Sequence, residues 1–255
     1  MSIGVLLYCF DTPVTPYYKY AEQCIQLIRK NLKIKEITVV TNIQTFKKFK
    51  NVSNLNFKII ENKINNTRLL EGKTVPWYNL ERSCAYEHSP YDTTILMDVD
   101  YFCFTDNLLQ FVNTEYDFLV HNKVHDLTNK NLIIGTHDSL IPIVWATVTI
   151  FKKTPFAKQI FDMIKHIQKN YEYYCHLYRI RFKNYRNDFA FAIALHHLHG
   201  QNENKYFIPS KMSMLGAGVK ILELNDNGVT FKYANFVNKT IDQDIHIMDK
   251  EFLNE

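Results

Sequence analysis

Residues 93–104 read TTILMDVDYFCF. The leading part, Thr93–Met97, is uncharged on both faces of a strand, which is how a central strand of a helix-covered parallel sheet reads. It ends in two aspartates one residue apart, Asp98 and Asp100. A lone carboxylate is costly to bury, and two of like sign cost more, so something positive must sit beside them. By spacing alone, Asp100→Ala relieves a like-charge pair and leaves the fold intact.

The chain around this stretch alternates strand and helix patterns. IGVLLYCF (3–10) is an apolar strand, and Thr15-Pro16 has the form of a helix cap followed by proline. Ala21, Cys24, Ile25, Ile28 and Leu32 then recur at helical spacing. EITVVTN (36–42) and FKIIEN (57–62) are further strands, 63–76 reads as loop, and WYNLERSCAYEH (77–88) reads as helix. After the aspartates come a short helix at 106–112 capped by Asp106 and a strand at 116–121. Next are a polar insertion at 121–142, a strand at 142–151 and a helix opened by Thr154-Pro155. A last helix spans 187–200, with Asn187 or Asp188 near its start and Gly200 at its end, before strands near KYFIP and VTFKYAN. The order β-α-β followed by more strands predicts an α/β fold with an open, mostly parallel sheet flanked by helices. With no repeat and no linker, one domain is expected over 1–255.

At 255 residues, 46% hydrophobic and 22% charged, the chain has the composition of a globular protein. Its net charge of +4 is too small to argue for nucleic acid. Five cysteines without a Cys-x-x-Cys pair read as small apolar residues in a reducing compartment. The short apolar start lacks a basic leader, and no run approaches the ~20 apolar residues of a membrane span. A soluble, cytoplasmic protein is the expectation.

In open α/β sheets, ligands bind beyond the carboxyl ends of the strands. If the strand continues to Asp100, alternation puts both carboxylates on one side. Paired hard oxygen donors there suit Mg²⁺ or Mn²⁺. Such an ion stabilises a diphosphate leaving group, and if the other half of the donor is a sugar, the reaction is glycosyl transfer through an oxocarbenium-like transition state.

The segment YNLERSCAYEHSPYDTTILMDVDYFCFTDNLLQFV resembles the middle of GT-A-fold glycosyltransferases, especially the retaining glycogenin and galactosyltransferase-like family. VWATVTIFKKTPFAKQIFDMI, NDFAFAIAL and IHIMDK are similar to later blocks of that family in order and spacing. The resemblance implies a GT-A (Rossmann-like) fold and transfer of a sugar, with retention, from a nucleoside-diphosphate sugar such as a UDP-hexose. The acceptor would be a hydroxyl of a saccharide, a protein or a modified nucleic acid. It implies that Asp100, Asp98 and His246 hold the metal, with Asp98 also near the donor ribose. Lys250 would reach the diphosphate, Arg82 the donor, and Phe10, Asp11 and Tyr17 the base and ribose. Asp188 would lie beneath the transferred sugar as the catalytic residue. Residues 1–120 would form the nucleotide-sugar half and 121–255 the acceptor half. The chain departs from the family at Phe189, where a polar residue is usual, at ATVT (146–149), where an asparagine is usual, and in its short closing motif.

Other readings compete. A nucleotidyltransferase would carry a Gly-rich basic loop after its first strand, which YCFDTPVTP lacks. A phosphatase with an aspartyl nucleophile would place Asp-x-Asp on the first strand. A non-catalytic sugar- or nucleic-acid-binding module would draw on the aromatic, basic stretch 171–186, although such a stretch also makes a helix with an aromatic core face. His196 and His199 share a helical face, but the helix dipole alone favours histidine at a helix end, against a zinc site. His246 between Ile245 and Ile247 also reads as a surface strand residue, and Asp188 as a plain helix cap.

Overall fold

The computed structural model describes residues 1–255 apart from 51, 62–65, 71–72, 129–138, 140, 182–183, 201–204, 217, 251 and 253–255. The strands are β1 (Ile3–Tyr8), β2 (Ile37–Thr41), β3 (Asn56–Ile59), β4 (Thr67–Leu70), β5 (Lys73–Pro76), β6 (Thr93–Asp98), β7 (Tyr101–Phe102) and β8 (Phe118–His121). They continue as β9 (Val124–Asp126), β10 (Trp145–Lys152), β11 (Met212–Leu215), β12 (Lys220–Asn225), β13 (Gly228–Tyr233), β14 (Phe236–Lys239) and β15 (Ile245–Ile247). The helices are α1 (Tyr17–Leu27), α2 (Ile43–Phe46), α3 (Ala85–His88), α4 (Pro155–Lys169), α5 (Tyr171–Leu177) and α6 (Asn187–His199). No helix among the described residues is long and apolar enough to cross a membrane.

The main sheet has the order β3-β2-β1-β6-β10-β8. β1, β2, β3 and β6 run parallel, and β10 is antiparallel to both its neighbours. The expected mostly parallel sheet is therefore present. Alternation along β1 and β6 divides the core. Val5, Leu7, Ile95 and Met97 face Ala21, Cys24 and Ile25 of α1, whereas Leu6 and Leu96 face Ile160 and Ile164 of α4 and Phe191 of α6. Each fully buried Val, Leu, Ile, Met or Phe among them contributes roughly 1.5–3 kcal/mol of transfer free energy. This two-sided burial is why neither strand has a polar face. The chain moves outward from β1 to β3, then returns to the other side of β1 as β6. The strand order thus reverses between β1 and β6, which opens a crevice beyond their carboxyl ends.

Local signals held unevenly. Thr154 accepts the Ala157 amide hydrogen and Pro155 opens α4, as the sequence predicts. The similar Thr15-Pro16 signal does not cap α1. Thr15 is buried, and the Tyr18 amide instead donates to Asp11 Oδ1 at 2.9 Å. Asp106 likewise gives no side-chain cap, and Thr105 Oγ1 accepts the Asn107 amide at 3.2 Å. The stretch expected as loop before Trp77 contains the β4–β5 hairpin. The expected helix at 77–88 is a 3-10 turn, Leu80–Cys84, followed by α3. KYFIP contributes only a single bridge, Phe207 to Val120, while β9, β11, β12 and β14 lie outside the strands expected from the sequence. β11 is buried throughout, β14 is exposed throughout and β12 is mixed, so none of the three shows the alternation that marks a half-buried strand. Half of the 121–142 insertion lies outside the described residues.

Candidate active site

Asp98 is the last residue of β6, and Val99–Asp100 form a turn into β7. The strand does not continue to Asp100, so the turn rather than strand alternation brings the two carboxylates together. A second, four-stranded sheet, β7-β15-β11-β9, supplies the third member. β15 pairs antiparallel with β7, which sets His246 opposite Tyr101, and the Ile247 amide donates to the Asp100 carbonyl at 3.0 Å. One ligand atom from each of Asp98, Asp100 and His246 lies within 4.8 Å of the others, and this is the only such His/Cys/Asp/Glu group among the described residues. His196 and His199 join no such group. The His199 ring packs between Phe156 and Tyr206, with centroids 4.8 and 4.9 Å away.

Each carboxylate has its own side-chain cation. The buried Arg82 guanidinium donates to Asp98 Oδ1, to the Ala146 carbonyl and, at 3.1 Å, to the Thr147 carbonyl. Lys250 Nζ lies 2.6 Å from Asp100 Oδ2 and also donates to the Ile247 carbonyl. His246 Nε2 is 3.3 Å from Asp100 Oδ1. Burial alone raises both acids. For Asp98, Arg82 opposes that rise and the Asp100 charge adds to it, so its carboxyl stays above the usual range. For Asp100, Lys250 and His246 outweigh burial and hold the carboxyl well below it.

The residues present fit a hard divalent ion. Asp100 Oδ1 and His246 Nδ1 are buried without a hydrogen-bond partner. Two carboxylates and an imidazole are also a donor set that Mn²⁺ or Mg²⁺ accepts.

These groups form the floor of a cleft. Phe10, Tyr17, Arg82, Asp98, Asp100, Asp188, His246 and Lys250 all line it. Asp11 is not among the lining residues. Its carboxylate caps α1 and pairs with Lys48 at 2.7 Å. Asp188, in the first turn of α6, accepts the Ala146 amide at 2.9 Å and the Arg186 guanidinium at 3.1 Å.

Sequence reasoning missed Tyr8, Trp77, Tyr78, Trp145 and Arg186, which also line the cleft. A usable signal was present: the chain has two tryptophans, and both are in the wall. The β4–β5 hairpin end, the Trp77–Asn79 segment and α6 are tied by side-chain amides, Asn66 and Asn79 buried and Asn187 half-buried. Asn66 Nδ2 donates to Asn79 Oδ1 at 2.8 Å, and Asn187 Nδ2 donates to the Asn79 carbonyl at 3.0 Å. In the aromatic, basic stretch, Tyr171, Tyr174 and Tyr178 face the core, which is the structural alternative of the two expected.

No protein-family model matches the sequence, and no curated protein matches it. Among solved structures, the chain is similar to a galactosyltransferase, LgtC, in complex with donor and acceptor sugar analogues: 13% identity, 76% of this chain and 70% of that one, TM-score 0.48. It is similar to mouse xyloside xylosyltransferase 1 at 10% identity, over 82% of this chain and 84% of that one, TM-score 0.48. It is also similar to the Streptococcus pneumoniae glycosyltransferase GlyE at 10% identity, over 80% of this chain and 44% of that one, TM-score 0.46. All three neighbours are glycosyltransferases.

Proposed function

We propose that this chain is a metal-dependent glycosyltransferase that moves a sugar from a nucleoside-diphosphate donor, a UDP-hexose, to an acceptor hydroxyl. The observation that carries the reading is the convergence of Asp98, Asp100 and His246 at the point where the strand order reverses. Asp98, Asp100 and His246 would hold Mn²⁺ or Mg²⁺, and when bound this ion neutralises charge on the departing diphosphate.

The remaining work falls to the chain's own groups. Lys250 and Arg82 balance the two carboxylates, so that with the ion bound the cluster carries net positive charge for phosphate oxygens. Phe10, Tyr17 and Tyr78 offer aromatic faces to the base and ribose. Asp11 supports that wall from behind by fixing the start of α1. Asp188 is held by the Ala146 amide and Arg186, with its carboxylate oriented in the cleft for sugar hydroxyls. The aromatic walls exclude water from an oxocarbenium-like species.

The resemblance noted in the sequence supports retention of anomeric configuration. The acceptor belongs to the saccharide, protein or modified nucleic-acid class. Residues 1–255 act as one domain, with 121–255 serving the acceptor while also lending His246 and Lys250 to the donor site. The five free cysteines fit a reducing, cytoplasmic setting.

The test is incubation with UDP-, GDP- and ADP-sugars plus Mn²⁺. Slow, metal-dependent release of nucleoside diphosphate from one donor is expected. Tight nucleotide binding with no release from any donor would mark a binding module instead.

A further inference from the structure

Within the protein, Lys250 Nζ lies 2.6 Å from Asp100 Oδ2, while His246 Nε2 approaches the other oxygen, Oδ1, at 3.3 Å without a hydrogen bond. Asp98 is engaged by Arg82. The two carboxylates are therefore already balanced by two side-chain cations. Asp188 brings no spare negative charge, because Arg186 pairs with it at 3.1 Å. A divalent ion entering this group alone would leave an excess of positive charge in a largely buried place. It would also have to share Asp100 with an ammonium that sits on one of the needed oxygens. An incoming diphosphate removes both obstacles: it supplies the missing negative charge and offers Lys250 an alternative partner.

We propose that Lys250 is a resident counter-cation that stands in the metal's place on Asp100, so that the site takes up a divalent ion only together with a diphosphate. The inference rests on the metal site proposed above and adds to it the order of binding. Lys250 is suited to the exchange. It follows β15 in irregular chain, its ammonium is held by one carbonyl and one carboxylate, and the Tyr20 ring lies 5.9 Å away. Arg82 is not suited, because its guanidinium is fixed by two backbone carbonyls as well as by Asp98.

The test is direct titration of Mn²⁺, read from the paramagnetic resonance signal of the free ion, on the wild type and on Lys250→Met, with and without UDP. Wild type should bind Mn²⁺ alone weakly and about a hundredfold more tightly with UDP, the scale set by a unit charge a few ångströms away near a protein surface. Lys250→Met should bind Mn²⁺ alone at least about tenfold more tightly than wild type, with a correspondingly smaller gain from UDP. If the variant binds Mn²⁺ no better than wild type while both bind it with UDP, the counter-cation role is wrong and the metal site stands. If neither protein takes up Mn²⁺ under any condition, both readings fall. Should the variant not fold, the wild type alone decides: equal Mn²⁺ affinity with and without UDP overturns the proposal.

Discussion

Asp100 shows how far a residue's neighbours can reverse an expectation from spacing. Read linearly, it repels Asp98, and its removal should leave the fold intact. In the structure it neutralises Lys250, whose side chain is 8% exposed. Asp100→Ala therefore strands a buried ammonium. We expect it to cost on the order of 3 kcal/mol in urea unfolding and to abolish Mn²⁺-dependent nucleotide binding. In the double variant Asp100→Ala/Lys250→Met most of the stability loss should return, because the unpaired charge is gone. Additive losses in that double variant would contradict the pairing.

His121 gives a second residue-scale expectation. It is buried, its Nδ1–H donates to the Ser210 carbonyl at 3.2 Å, and burial lowers its pKa to about 4. The unfolded chain then binds the proton first. The stability associated with His121 is full above about pH 6.5 and is lost as the pH falls towards 4, by on the order of 3 kcal/mol. Stability of wild type relative to His121→Gln, followed by denaturation across that window, should fall with acidification. A flat difference would show that the ring charges freely in the fold.

At the scale of elements, the two Thr-Pro signals separate what a cap motif promises from what it delivers. Thr154→Ala should cost about 1 kcal/mol, since its side chain satisfies the Ala157 amide. Thr15 does not serve α1 in that way, and the corresponding loss should appear with Asp11→Ala, through the Tyr18 amide. Thermal unfolding of Thr154→Ala, Asp11→Ala and Thr15→Ala checks this ranking, with little loss expected in the last. The central strand carries a different constraint. Gly4 lies in β1 beneath the Tyr91 ring, where a Cβ would fall inside contact distance of three ring atoms. Tyr91 is itself held by Thr38 Oγ1 at 2.7 Å, so it cannot retreat without losing that bond. Gly4→Ala should therefore destabilise by roughly 1–3 kcal/mol through overpacking, seen as a lower urea midpoint.

At the scale of the whole molecule, the site joins two sheets. Asp98 closes β6 of the main sheet, while His246 belongs to β15 of the smaller one. A ligand gripping both should stabilise the native state by about 2.7 kcal/mol at a hundredfold excess over its Kd, a shift of roughly 5–10 °C in Tm. Thermal denaturation should show that rise with Mn²⁺ plus UDP and little with Mn²⁺ alone. An equal rise with either would argue against joint uptake.

Much of this architecture was determined by sequence alone. IGVLLY and TTILM had to be buried on both faces, α4 had to follow Thr154-Pro155, and Asp98 had to fall where β6 ends. Each is a local property, written in alternation, capping chemistry or the position of a charge within an apolar run. Tertiary structure alone decided which cation meets which carboxylate, that His246 lies beside Asp100, that Asp11 caps α1 and pairs with Lys48, and that Trp77 and Trp145 wall the cleft. Those outcomes depend on the register between β7 and β15 and on the packing of segments far apart in the chain. No local pattern encodes such pairings, because their energies exist only once the sheets have formed.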